Sequence, residues 1–239
     1  MIKTRLLFQD DSYLREFTAR LARIEGDRVF LDATAFHPTP YGGLDTDTGI
    51  LEGARGTARV TKAFIENGEV AHVVDRVVFE AGERVRGVID WDRRYSMMRL
   101  HTFSHILASI LYERHGVTVT GGHILPGRAR EDFDIGDIVE WRRVVEEAFM
   151  ESIEVAGRCV EVKIYWLDRE KAMSIRGLVK LAEKLPPEID KLRIVEIPGV
   201  DIQADGGPHV RNTCEIGRVE IEKMESKGRR RKRLYYKLA

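Results

Sequence analysis

Met97-Met98-Arg99-Leu100-His101-Thr102-Phe103-Ser104-His105-Ile106-Leu107-Ala108-Ser109-Ile110-Leu111 places two histidines four residues apart in a run with helical period. Residues i and i+4 of an α-helix lie on one face, one turn apart. Two imidazoles so spaced can aim at one metal ion, and zinc is the usual occupant. The metalloprotease form of this spacing carries a glutamate after the first histidine as general base. Thr102 stands there instead, so protease chemistry is not expected. Alone, the pair reads more readily as two helix histidines near a core face than as metal ligands.

The helix is expected to open at Asp90-Trp91-Asp92, with Asp92 at an N-cap or first-turn position. Its period runs from Arg93 to His115, with Met97, Leu100, Ile106, Leu107, Ile110 and Leu111 as the buried stripe, and Gly116 is a plausible stop. Far downstream, Asp205-Gly206-Gly207-Pro208-His209 sets a carboxylate and an imidazole four apart with two glycines and a proline between. That composition excludes a helix interior and reads as a tight loop able to turn both side chains to one point.

Together, His101-Thr102-Phe103-Ser104-His105-Ile106-Leu107 and Gly206-Gly207-Pro208-His209-Val210-Arg211-Asn212-Thr213, followed by Glu215-Ile216-Gly217, resemble the editing domain of alanyl-tRNA synthetase. The closer resemblance is to the free-standing alanyl-tRNA editing proteins of the AlaX type, and it covers nearly the whole chain. It implies a trans-editing hydrolase that deacylates tRNA(Ala) mischarged with serine or glycine, using Zn²⁺. By the family pattern the ion would be held by His101, His105, Asp205 and His209. The family has cysteine where Asp205 stands. A carboxylate oxygen still binds zinc but makes the site harder, and Cys214 is a rival for the fourth ligand. Thr102, Thr213 and the backbone N–H groups of Gly206 and Gly207 are candidates to orient water or an oxyanion. The glycine-rich Phe36-His37-Pro38-Thr39-Pro40-Tyr41-Gly42-Gly43-Leu44 resembles the family's loop beside the editing pocket, with Leu44 in place of a glutamine. Gly42, Gly43, Gly206, Gly207, Arg211 and Asn212 are thereby expected at the substrate. His37 reads as a surface residue.

The fold expected is α+β: a small N-terminal β-barrel domain over residues 1–90, then a metal-binding editing domain over 91–239, of the kind shared by threonyl- and alanyl-tRNA synthetases. The first part rests on short alternating strands. Thr4–Phe8, Phe17–Ile24, Arg28–Phe36, Gly56–Ile65, Val70–Val74, Val77–Phe79 and Arg84–Ile89 are the candidates, with Asn67-Gly68 as a hairpin turn. The boundary is the switch from β period to helix period near Asp90. Beyond it, strands are expected at Val117–Thr120, Gly122–Leu125, Arg128–Phe133, Cys159–Trp166 and Leu192–Ile197. A second helix is expected over Asp137–Ala156, and a third from Asp168 to about Lys184, stopped by Pro186-Pro187. The C-terminus reads as a hairpin turning at Lys227-Gly228.

The 239 residues are 43% hydrophobic, enough for real cores, and 33% charged, with 39 basic and 39 acidic residues. That balance excludes a bulk polycation, so nucleic-acid contact must rest on local clustering. Arg229-Arg230-Arg231-Lys232-Arg233 is the densest such cluster, read either as contact with the tRNA acceptor stem or as a charged edge strand. Tyr235 and Tyr236 are packing residues or base-stacking ones. Two cysteines, Cys159 and Cys214, suggest no disulfide framework and a reducing compartment. With charges through the N-terminal segment and no apolar run near about 18 residues, a soluble cytoplasmic protein is expected, with no membrane partner. Two other functions stay open: a tRNA-binding paralogue with impaired hydrolysis, and a metal-dependent hydrolase of another ester.

Overall fold

The computed structural model describes residues 3–39, 41–175, 178 and 190–239. The chain divides into two compact units, Met1–Tyr95 and Ser96–Ala239.

In the first unit, alternation along Glu16–Glu25 sends Phe17, Ala19 and Leu21 inward and Glu16, Thr18 and Arg20 outward. This strand pairs with Arg28–Leu31 on one side and Arg84–Ile89 on the other. The ladder continues through Glu69–Val74, Gly56–Glu66 and Gly49–Gly53 and returns to Arg84–Ile89. The result is a closed, antiparallel barrel, which leaves no strand edge exposed. Phe17, Leu21, Val29, Leu51, Val60, Val70 and Val85 fill it. The Asn67-Gly68 turn has φ of 49° and 78°, the two positive values a type I′ hairpin requires. Gly87 is dictated by packing: a Cβ there would lie 2.3 Å from the Phe17 ring.

Three expectations fail here. Leu7–Asp10 is a short helix rather than strand, because the buried Phe8 packs edge-on against His37 and Tyr41. Val77–Phe79 joins no ladder; Phe79 reaches the barrel core from a loop. His37 is fully buried, not a surface residue: its N–H donates to Asp47 at 2.6 Å and Asp47 N–H returns a bond to its carbonyl. In the same loop Gly42 and Gly43 take φ of 63° and 77° in succession, a conformation glycine adopts without strain. Leu44 is fully buried, so this position is a packing residue.

The helix Trp91–His115, which Asp90 caps through Arg93 N–H and which ends at Gly116 with φ 65°, supplies the core of the second unit from Ser96 onward. Asp92 lies in its first turn. The helix is buried on more than the expected stripe: Met98, Thr102, Phe103 and Ser109 are inside as well. Burial on nearly every side makes this segment a core helix although it carries polar residues. Phe103, Phe149 and Tyr236 form an aromatic cluster with centroids 4.9–5.9 Å apart. They join this helix to the helix Trp141–Ala156 and to a four-stranded sheet ordered Val219–Ser226, Arg231–Leu238, Arg128–Asp134, Thr118–Leu125. A second sheet is ordered Lys163–Asp168, Lys191–Ile197, Asp201–Ala204. The helix expected from Asp137 begins at Trp141, after a turn. The helix after Asp168 is only Arg169–Met173. The remainder expected to Lys184, and the Pro186-Pro187 stop, fall largely outside the described residues. No helix among the described residues is long and apolar enough to cross a membrane.

The expectation that the two cysteines form no disulfide is overturned. Cys159 and Cys214 are joined in a disulfide, with Cα atoms 4.6 Å apart. Their 55-residue separation hides the reason, which is a small ladder. Val162 N–H donates to Arg211 O, Thr213 N–H to Val160 O, and Val160 N–H to Thr213 Oγ1. Closing a loop of that length stabilises by about 4 kcal/mol on the chain-entropy estimate. A Cys159→Ser variant, or the protein under a strong reductant, is expected to lose about 2–4 kcal/mol, read as a lowered melting temperature with parent and variant converging in reductant.

Candidate metal centre

His101 and His105 come from adjacent turns of the helix Trp91–His115, Asp205 and His209 from the loop after the strand Asp201–Ala204. One ligand atom from each lies within 4.8 Å of every other. His209 Nε2 is 3.1 Å and His101 Nε2 3.6 Å from Asp205 Oδ1. His101 and His209 stack with centroids 4.0 Å apart, and His105 meets each of them edge-on.

The second ring nitrogens explain the aim of the first. His101 Nδ1 is 3.2 Å from Pro208 O, and His105 Nδ1 is 3.0 Å from Asp201 Oδ2. A carbonyl oxygen only accepts, so His101 Nδ1 is the donor and its Nε2 keeps its lone pair; His105 does the same when Asp201 is ionised. His209 Nδ1 is 3.1 Å from Thr102 Oγ1, which also accepts Val210 N–H at 3.2 Å. Each ligand histidine is thus fixed by an oxygen behind it, the usual support of metal-bound imidazole. Burial, followed by the other two imidazoles, holds His209 well below the ordinary histidine range. For Asp205, burial pushes the carboxyl up, but the three imidazoles outweigh it and hold it well below the usual range. Neutral imidazole and ionised carboxylate are the states a divalent cation needs.

The loop is framed from behind. Buried Arg193 donates Nη1 to Asp205 O and Gly207 O, both at 2.9 Å, and Asp205 N–H donates to Arg193 O. Gly207 N–H is spent on Asp205 Oδ1 at 2.8 Å. Thr102 and Thr213 are both fully buried. Thr102 holds His209, and Thr213 accepts Val160 N–H. Asn212 caps the short 3₁₀ turn Thr213–Ile216 in a capping box with Glu215, and Arg211 is exposed. Gly42 and Gly43 belong to the barrel unit. Cys214, tied to Cys159, is outside the cluster. Asp201 and Arg193 were not anticipated from the sequence. Asp201 had a faint signal: in an extended segment Asp201, Gln203 and Asp205 are alternate residues and share a face.

The basic run is largely engaged with the protein. Arg229 pairs with Asp137, Arg230 with Asp134 and Arg233 with Asp132. Lys232 is buried and donates to Gly228 O and Arg229 O. Arg231 is exposed. Tyr236 is fully buried and donates its hydroxyl to Glu131 at 2.8 Å, a packing role.

Glu131 itself is buried, and its carboxyl is pushed up to about 7 by burial, only partly offset by the Ser104 and Tyr236 hydroxyls. The ordinary value is 4.5, so between these two pH values the native state holds a proton that the unfolded chain has released. Stability from this group therefore falls as pH rises from 4.5 towards 7, by about 3 kcal/mol in total at 1.36 kcal/mol per unit. A Glu131→Gln variant is expected to lose that slope and to melt above the parent at pH 8 but not at pH 5. The comparison is made on metal-free protein, because a cation near His105 would pull Glu131 the other way.

A barrel, a two-sheet α+β unit and a buried cluster of three histidines and one aspartate define an editing-domain protein of the class II tRNA synthetase kind. Residues 192–235 match the family described as threonyl and alanyl tRNA synthetase second additional domain, and residues 7–93 match class II (A) tRNA synthetases. The alanyl-tRNA editing protein AlaX-M of Saccharolobus solfataricus is 50% identical over 98% of both chains. That of Methanosarcina acetivorans is 35% identical over 98% of this chain and 99% of its own. An alanine–tRNA ligase of Archaeoglobus fulgidus is 37% identical over 93% of this chain, which corresponds to 24% of the ligase. The chain belongs to the alanyl-tRNA editing proteins.

Proposed function

We propose that this chain is a trans-acting hydrolase that deacylates mischarged tRNA(Ala), seryl- or glycyl-tRNA, at a Zn²⁺ ion held by His101, His105, Asp205 and His209. The observation that carries it is the orientation of the imidazoles. Pro208 O, Asp201 and Thr102 each take one nitrogen, so that the others face Asp205 Oδ1 in a buried space. Three nitrogens and one oxygen suit zinc, and the donor set fits the ion without rearranging which atoms point inward. When bound, such an ion polarises a carbonyl or lowers the pKa of water, which suffices for an ester already activated by its ribose.

The chain's own residues do the rest. The loop pinned by Arg193 fixes Asp205 and His209 relative to the helix, and burial favours the neutral form of His209. Arg231 and the exposed faces of Arg229 and Arg230 are offered to the phosphates of the acceptor stem, where charge dominates affinity. The place of action is the cytoplasm, where tRNA is charged.

Deacylation of seryl- and glycyl-tRNA(Ala) by purified protein, with and without chelator and beside elemental analysis, tests the reading. Turnover that chelator removes and zinc restores is expected; binding of tRNA with no metal-linked turnover ends it. An Arg231→Ala variant is expected to weaken tRNA binding and to lower the slope of log affinity against log salt by about 1 or less, the value for one lost phosphate contact.

A further inference from the structure

Asp201 opens the strand that leads into the ligand loop, is 5% exposed, and places Oδ2 3.0 Å from His105 Nδ1. The amide of Gln203 lies 3.2 and 3.0 Å from its two oxygens, which fixes the plane of the carboxylate. The oxygens behind His101 and His209 are a backbone carbonyl and a hydroxyl, both neutral. Behind His105 stands a full carboxylate. A negative charge on that side makes the opposite nitrogen a stronger donor and adds a field that favours a divalent cation. We propose that Asp201 is the positioning residue that sets the metal affinity of the centre, acting through His105. The inference rests on the functional reading above and deepens it: Asp201 touches neither ion nor substrate, yet its charge governs how tightly the ion is held.

The test is zinc and cobalt affinity, measured by competition with a chromophoric chelator, for the parent, Asp201→Asn and Asp201→Ala. Asn keeps the size and an acceptor oxygen but loses the charge. The expected result is a dissociation constant raised roughly 10–100-fold in Asp201→Ala, with Asp201→Asn between it and the parent. The visible spectrum of the cobalt form should be retained in Asp201→Asn, because the ligand set is unchanged. Metal-free melting of Asp201→Asn close to that of the parent shows that the change is in the centre and not in folding. A lowered melting temperature with unchanged affinity in Asp201→Asn would overturn the inference and leave the functional reading standing. A parent that binds neither ion would overturn both.

Discussion

Substituting His209 by alanine is expected to abolish stoichiometric zinc binding and to lower deacylation roughly 10²–10⁴-fold, the several kcal/mol that a bound metal supplies. The protein should still fold. His209 is buried among two other imidazoles and burial already favours its uncharged form, and the Asp205 carboxylate that loses its Nε2 contact keeps Gly207 N–H as a donor. Thr102 Oγ1 keeps Val210 N–H as a donor. The check is a pair of melting curves for parent and variant. Metal-free, they should lie within a few degrees of one another. With excess zinc the parent should rise, by linkage to a ligand that binds only the native state, and the variant should not. Asp205→Cys is the informative contrast. It replaces a carboxylate oxygen with a softer thiolate at the same loop position, so zinc binding should persist or tighten while harder divalent ions lose ground. If His209→Ala kept full turnover, the four side chains would not be the catalytic centre.

Much of this is legible in the sequence. The barrel strands announce themselves by alternation, as in Phe17, Ala19 and Leu21, and the Asn67-Gly68 turn by its chemistry. The convergence of His101, His105, Asp205 and His209 was legible because both halves are local patterns, one on a single helix turn and one in a glycine-rich bend. What stayed hidden depends on contacts between distant segments. Asp201 meets His105 only after the strand and helix pack. Cys159 meets Cys214 only because residues 160–162 pair with 211–213. His37 looked like a loop imidazole until Asp47 folded back on its N–H. Leu7-Phe8 was read as strand and is helix, because a run of four residues has no period long enough to separate the two.

Replacing Asp47 by alanine is expected to destabilise the barrel unit by about 3–5 kcal/mol, the cost of stripping the partner from a buried cation. Arg94 and Asp47 are both fully buried. Arg94 Nε lies 3.0 Å from each Asp47 oxygen, and Nη2 adds a short contact to Oδ2. Nη1 donates to Ser12 O at 3.1 Å and Nη2 also to Ala35 O at 2.5 Å. This guanidinium therefore gathers three segments around the first turn of the helix that later carries His101 and His105. Asp47→Ala leaves its charge without a counterion, and leaves His37 N–H without its acceptor as well. A double change, Asp47→Leu with Arg94→Met, removes both charges and fills the same space. It should cost less than the two single changes summed, because each single change pays for a stranded ion that the pair does not. Hydrogen exchange of amides in Glu16–Glu25, Gly49–Gly53 and Arg84–Ile89 is the measurement. Faster exchange there in Asp47→Ala, with the amides of Lys191–Ile197 unchanged, is the expected result. Equal protection in parent and variant would mean that burial of this pair contributes nothing to the unit it sits in.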